Sequence, residues 1–492
     1  MSDNPTGMLI VVPSRLGVGE EFAVKVKLRG AVREIPSRNT WRIAMPRGQG
    51  PFNLNVERRI QYMDDCLPDW TGRLDVDAAD LEGPRRILFD GSAQGVFPGD
   101  HRPIAVFGGF RWTKPGMHFL KLVDPVSGIE ASSNAVLVTP EPPSERIFWG
   151  DPHWQTFFSD GIRCPEELYA FARDEAFLDF GAISDHMESI TPEMWDYFQI
   201  VTNRYNQPGR FATLVGQEWT HHDPRKGAPG HRNIYFRGDR GPVLRSTDPD
   251  CDTLDKLWKK LDAHPEVRAL AIPHHSANVQ MGVQWSLGWN PKYEKAVEIY
   301  SVWGSSEKSA KSGNPRPIRA CGGEQEGRHV VDALKRGFRL GFVGGGDIHD
   351  GRPGDDLHIQ QTRVAGYRES LYSQGFTAAY VPRLGREDIF DAMGTRRTYA
   401  STRRRIYLHT HISDSRDRRV LVVLAASEDG IDKAVLVHNG QDVQHLSPGD
   451  DPRVVSSSLA LPDLAPGDFC YVRILTAGGD MAWSSPFWGD GK

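Results

Sequence analysis

Apolar and polar residues alternate with period two in short runs over the first part of the chain: EEFAVKVKLRG, NTWRIAM, HFLKLVD and NAVLVTP, each closed off by Gly or Pro. That rhythm predicts half-buried strands, so residues 1–143 read as a β-sandwich-like domain. TPEPPSE, residues 139–145, forms a proline-rich linker, because proline cannot sit inside a continuing central strand. From Arg146 the pattern changes to apolar runs separated by helical periodicity. RIFW, LDFGAIS, RFATLVG, NIYF, VRALAIP, AVEIYSVW, RLGFVGG and FTAAYVP predict strands. In TLDKLWKKLDAH, Leu254, Leu257, Trp258 and Leu261 recur at helical spacing behind a cap at Asp252 or Thr253. In TPEMWDYFQIVTNRYN, Thr191 is placed to cap and Pro192 fits the first turn.

Strands alternating with helices predict parallel β/α units, and seven or eight of them predict a barrel over residues 146–404. From about Arg405 strand-like runs return (RIYLHTHIS, VLVVLAAS, KAVLVHNG, FCYVRILTA), which predicts a second β-sandwich-like domain over 405–492. The expected class is α/β: a barrel flanked by two β domains.

Composition narrows the function. A chain of 492 residues exceeds what one core supports, in line with several domains. With 39% hydrophobic and 25% charged residues and a net charge of -5, it reads as a soluble globular protein without a nucleic-acid surface. Cys66, Cys164, Cys251, Cys321 and Cys470 are scattered singly, which points to a reducing compartment and away from cysteine-bound zinc. MSDNPTGMLIVV lacks a basic region followed by a long apolar stretch, so the expected location is cytoplasmic with no membrane partner. Nothing in the sequence sets the oligomeric state.

Candidate chemistry gathers at the C-terminal ends of the apolar runs. RIFWGDPH delivers His153 and, further on, Asp160; LDFGAISDH delivers Asp185 and His186; RFATLVGQE delivers Glu218; VRALAIPHH delivers His274 and His275; RLGFVGGGDIH delivers Asp347 and His349. In a parallel barrel these strand ends open on one face, so residues distant in sequence become neighbours. A single histidine after a strand is more often a packing residue; five such pieces in order point to a metal centre.

The ordered set GDPHWQTFFSDG, ISDH, GQEW, IPHH and GGGDIH resembles the polymerase and histidinol phosphatase (PHP) superfamily, whose first motif is usually H-x-H and whose last is a Gly-Ser-Asp-x-His turn. GHRNIYF, VEIYSVWGSSE, GGDIHDGRPG, TRRTYAST and AWSSPFW further resemble a branch of PHP-type proteins with β domains flanking the barrel. The resemblance implies a distorted seven-stranded β/α barrel holding two or three divalent metal ions, zinc, manganese or iron. It would place His153, Gln155, Glu218 and Asp347 around one ion, with Glu218 bridging to a second held by His231 and His274, or by His275 in place of His274. Asp160, His186 and His349 would hold a third. His231 stands before its apolar run rather than after it. Gln155 departs from the pattern, which has histidine there; its neutral carbonyl is a poorer donor than imidazole.

Paired ions lower the pKa of a bridging water to roughly 7 and polarise the oxygen under attack, so the implied reaction is hydrolysis. The resemblance favours a phosphoesterase acting on a small anionic molecule. The same centre would also suit a carboxylic ester, lactone or amide, and a non-catalytic metal-stabilised binding module is a third reading. Asp347 or His349 is placed to move a proton to the leaving group, and Arg352 to meet an anionic substrate or to stand solvated in its loop. Arg225 and Lys226 read as a solvated basic loop, with His221 and His222 nearby as supporting or exposed residues. Trp154, Phe157, Phe158, Trp219, Trp285, Trp289 and Trp303 read as core, or as a cleft lining for an apolar substrate.

Overall fold

In the first segment of the computed structural model, EEFAVKVKLRG and HFLKLVD enter two four-stranded sheets that share one core, while Val136–Thr139 of NAVLVTP belongs to a third sheet and Thr40–Arg42 of NTWRIAM to a two-stranded one. Of the four-stranded sheets, one holds Gly7–Val11, Glu21–Arg29, Ile104–Trp112 and Leu81–Glu82; the other holds Arg86–Asp90, Thr71–Asp77, Lys121–Val123 and Glu130–Ser132. The structure describes residues 5–31, 33–35, 40–42, 57–59, 62–64, 67, 70–91, 103–161, 163–221, 229–354, 371–415, 418–461 and 464–489. Along Glu21–Arg29, Val24, Val26 and Leu28 turn inward against Leu74, Ile87, Phe110 and Trp112. Lys27 lies on the opposite face and is nonetheless buried, its Nζ 3.4 Å from Glu175 Oε2. Glu175 caps the C-terminus of helix α1, Pro165–Asp174, so this ion pair joins the first segment to the next.

All eight apolar runs after the linker form strands. Arg146–Trp154 pairs in parallel with Phe180–Ile183, which pairs in parallel with Ala212–Thr213. A parallel bridge between His186 and Glu218 carries the order on to Val215–Trp219. Ala296–Ser301 pairs in parallel with Gly341–Gly344, and a parallel bridge between Trp154 and Ile348 returns to the first strand.

The alternation of parallel strand and helix is interrupted in two places. Arg232–Phe236 runs antiparallel to both Val215–Trp219 and Ala269–Pro273, and Gly375–Val381 runs antiparallel to Arg146–Trp154. Parallel neighbours need a crossover, usually helical. Trp219 is paired with Arg232, so the second strand returns directly alongside the first.

Helices stand behind only some of the strands. Besides α1 they include α2, Pro192–Tyr205, and α3, Leu254–Asp262; Thr191 and Thr253 accept hydrogen bonds from the amides of Met194 and Lys256, as their positions predict. The chain is thus strand-rich and multi-domain. Among the described residues, the strands from Arg146 to Gly344 fall into three hydrogen-bonded sheets, without one ladder closed round a helical shell.

The sheet also continues past residue 404. Thr398–Thr402 pairs with Gly375–Val381 on one side and with Met481–Ser484 on the other, which pairs in turn with Phe469–Thr476. Tyr407–Ser415, Arg418–Ala426 and Val454–Ala460 form a separate three-stranded sheet. Among the described residues, no helix is long and apolar enough to cross a membrane.

Candidate metal centre

Glu218 is the hub of a buried cluster. Strand Val215–Trp219 carries it inward with no exposure to solvent. Its Oε1 lies 2.8 Å from His231 Nδ1, 3.2 Å from His186 Nδ1 and 3.3 Å from His274 Nε2. Its Oε2 lies 3.4 Å from His153 Nε2 and accepts a hydrogen bond from Gln155 Nε2 at 2.8 Å. The antiparallel course of Arg232–Phe236 explains how His231 arrives: Arg232 pairs with Trp219 and with Pro273, so His231 and His274 sit at the same end of this three-stranded meander as Glu218. A histidine preceding its apolar run therefore reaches the same face as those that follow theirs.

Asp347 closes the cluster from the Gly-rich turn after Gly341–Gly344. Its Oδ1 is 3.2 Å from His153 Nε2, and its φ of +50° is a left-handed conformation uncommon for a residue with a Cβ. Asp160 Oδ1 stands 3.2 Å from His349 Nε2 and 3.7 Å from His186 Nε2. Four sets of three side chains have donor atoms within 4.8 Å of one another: His153, His274 and Asp347; Asp160, His186 and His349; His186, Glu218 and His231; and His231, His274 and His275. All the sequence-derived metal candidates except Gln155 thus fall into one or more of these sets, and His274 and His275 both enter rather than one replacing the other.

A surrounding layer of polar residues, of which the strand-end pattern reveals only Asp185, fixes the orientation of the cluster. Glu298, in the middle of Ala296–Ser301, lies 3.0 Å from His153 Nδ1 through Oε2, leaving His153 Nε2 directed at Glu218 and Asp347. A carboxylate on the far nitrogen is the usual partner of a metal-binding imidazole. Thr220 Oγ1 donates to Glu218 Oε1 and lies 2.6 Å from His186 Nδ1. Asp185 Oδ1 accepts from the amide and hydroxyl of Thr156, while Asp151 Oδ1 accepts from the amides of His153 and Gly346. A carboxylate inside an apolar strand, as in AVEIYS, was the available signal for Glu298.

The electrostatics match a site built for cations. Burial would raise the Glu218 carboxyl, but the imidazoles of His186 and His274 outweigh it and hold the group well below the usual range. Burial opposes charge on His186, and Glu218 and Asp160 overcome it, taking its pKa to about 10. His153 is likewise raised well above the ordinary value against burial, by Asp347 and Glu298. Burial wins at His231, which falls to about 4, and at Asp151, pushed up to about 8. Buried carboxylates facing imidazoles without solvent are the donor set that divalent cations satisfy, so the residues fit the metals that the sequence implies.

Other sequence candidates stand outside these four sets. Arg352 is neither solvated nor in a surface loop: it is buried, its guanidinium 5.5 Å from the centroid of the Phe171 ring on α1. Lys27 Nζ lies 5.1 Å from the same ring, so Phe171 meets two cations. Gln374 Nε2 donates to the Arg352 carbonyl, and Asp350 accepts from its amide. Gln155 is fully buried, and both ends of its amide are engaged: besides the bond to Glu218, Oε1 accepts from Ser159 Oγ at 2.9 Å. The carbonyl that was to serve as a weak ligand is thus held by a hydroxyl. His221 is buried with Nε2 3.0 Å from the Asp252 carbonyl, whereas His222, Arg225 and Lys226 lie outside the described residues. Trp154, Trp219, Trp285 and Trp303 are buried; Phe157 is 40% exposed.

Residues 164–298 match a family described as a protein of unknown function (DUF3604). An uncharacterized protein of Chlamydia pneumoniae is 28% identical over 407 residues, which is 77% of this chain and 63% of that protein. One from Chlamydia trachomatis is 26% identical over 408 residues, with the same shares. The chain therefore spans less than two thirds of the length of these relatives. Among solved structures, a two-domain protein from Bacteroides vulgatus containing a predicted PHP-like metal-dependent phosphoesterase aligns with 15% identity and a TM-score of 0.34, over 69% of this chain and 92% of that one.

Proposed function

We propose that this protein is a metal-dependent hydrolase whose centre is organised by Glu218, and that it cleaves a phosphate ester of a small anionic molecule. The observation that carries the reading is one buried carboxylate facing four imidazoles from four separate chain segments, with Asp347 and Asp160 beside them. Strands following one another from Arg146 to Gly344 around that cluster support reading this region as a distorted seven-stranded barrel.

His153, Glu218 and Asp347 would hold one cation, Glu218, His231 and His274 a second, and Asp160, His186 and His349 a third. Bound there, such ions supply the Lewis acidity that makes water a nucleophile near neutral pH. The protein's own part is positioning. Glu298 fixes His153, Thr220 and Gln155 fix the two oxygens of Glu218, and the left-handed turn at Asp347 aims its carboxylate back at His153. Asp347 or His349 would pass a proton to the departing oxygen, a role supported by their lying beside His153 and Asp160 respectively.

The burial of Arg352, which keeps its fork out of contact with solvent, favours a second reading, hydrolysis of a carboxylic ester, lactone or amide. A panel of phosphomonoesters, phosphodiesters, carboxylic esters and lactones, assayed after metal analysis of the purified protein, tests both. Release of inorganic phosphate from a monoester, or of an alcohol and a phosphomonoester from a diester, supports the first reading, and formation of a carboxylate the second. Full metal occupancy with no turnover on any member would instead indicate a binding module.

A further inference from the structure

Beside Glu218 stand three imidazoles from two chain segments, His231, His274 and His275, with nitrogens all within 4.8 Å of one another. The rings of His274 and His275 are 4.3 Å apart and cross at 81°; those of His231 and His275 are 4.8 Å apart at 69°; those of His231 and His274 are 5.6 Å apart at 81°. Crossed rings alone are ordinary aromatic packing. The backbone needs another explanation.

Consecutive residues of an extended chain point to opposite faces, so a continuing strand through Ile-Pro-His-His would send His275 away from His274. Instead His275 has a φ of +32°, a region that residues with a Cβ rarely enter, and this turn brings its ring back beside its neighbour. The side chain is then 4% exposed, with Nδ1 meeting no hydrogen-bond partner among the described residues and Nε2 3.9 Å from Asp347 Oδ2. A backbone conformation held against its preference, to bury an imidazole beside two others and a carboxylate, is what a ligand position requires.

We infer that His231, His274 and His275 together form a three-imidazole cation site that selects zinc, or another late first-row ion, over manganese and magnesium. The inference rests on the metal reading above and adds to it a ligand and a selectivity. Imidazole nitrogens suit zinc, copper, nickel and iron, whereas manganese and magnesium favour oxygen. The Asp160, His186 and His349 group carries a carboxylate in place of the third imidazole, so the two positions differ in preference.

Cobalt(II) substitution of the full-length protein tests this without recourse to activity. His275→Cys loaded with cobalt is expected to gain the intense thiolate-to-cobalt charge-transfer absorption, which cobalt-loaded wild type lacks. In parallel, His275→Ala is expected to lower the ratio of zinc to manganese affinity by roughly tenfold or more. Wild type that takes up metal, together with a His275→Cys protein lacking the new band and a His275→Ala protein with the wild-type ratio, would overturn the inference and leave the hydrolase reading standing. Wild type that takes up no divalent cation at all would overturn both.

Discussion

Glu218→Gln is the sharpest perturbation of the site, because it keeps the shape of the side chain while removing its charge and one of its two acceptor oxygens. The carboxylate meets His231, His186 and His274 at one oxygen and His153 and Gln155 at the other. An amide nitrogen in place of Oε2 would face the Gln155 amide donor at a separation that is now 2.8 Å. An amide nitrogen in place of Oε1 would face Thr220 and three imidazoles, the nearest now 2.8 Å away. Losing the negative charge also removes the anionic donor that two cations would share under the proposed reading. A contact to a charged group contributes about 1.5 to 3 kcal/mol, and about 1.4 kcal/mol is a factor of ten. One such loss per ion lowers affinity by roughly 10 to 100-fold at two positions together. The assay is dialysis of both proteins against graded zinc and manganese buffers, followed by elemental mass spectrometry and initial rates on the best substrate. The expected result is simultaneous loss of two ions per chain and abolished turnover. If metal content and rate both stay within about twofold of the parent, where changes to supporting residues alone cost roughly 10 to 100-fold, Glu218 does not bridge.

Gln155→His should bind metal more tightly at the His153 and Asp347 position and lower turnover, because it replaces the amide that restrains Glu218 with a new ligand; superimposable metal titrations of wild type, Gln155→His and Gln155→Ala would remove Gln155 from the site. Arg352→Ala should lower the melting temperature, since a desolvated cation over an aromatic ring contributes about 2 kcal/mol, and leave KM unchanged; a raised KM with an unchanged melting temperature would show that it meets substrate. Lys27→Met should destabilise by about 3 to 5 kcal/mol in denaturant titrations by leaving Glu175 buried without its ammonium partner. The double substitution Lys27→Met with Glu175→Gln should recover most of that loss, and a wild-type midpoint for Lys27→Met alone would refute the coupling.

Much of the cluster was legible because candidate metal-binding side chains at strand ends leave a mark in sequence: an apolar run followed by His, Asp or Glu. That mark depends on local order, and it located His153, Asp160, His186, Glu218, His274, Asp347 and His349. It fails where direction matters. His231 precedes its run, and only strand pairing shows that Arg232–Phe236 runs the other way and brings it to the same end. His275 looked like an alternative to His274 because strand alternation separates neighbours, and a single left-handed φ cancels that rule. The parallel alternation was over-read for a related reason: a count of apolar runs suggests seven or eight parallel units, and it does not show that Arg232–Phe236 and Gly375–Val381 run antiparallel to their neighbours. Arg352 illustrates the limit for cations, since a loop arginine facing water and one lying over Phe171 have the same sequence neighbourhood.

The sheet shared across residue 404 bears on how the chain is made. Every candidate ligand, up to His349, has been synthesised before Thr398–Thr402, yet that strand finds its second neighbour only when Met481–Ser484 leaves the ribosome. At roughly 5 to 20 residues per second the interval is several seconds. During it, TYAST presents a bare row of backbone donors and acceptors next to a strand already placed, the kind of edge on which nascent chains pair with one another. A polypeptide stopped short of Met481 would carry a full complement of imidazoles and carboxylates and still be prone to assemble through that edge, which makes the last strands of the chain the guardians of its solubility.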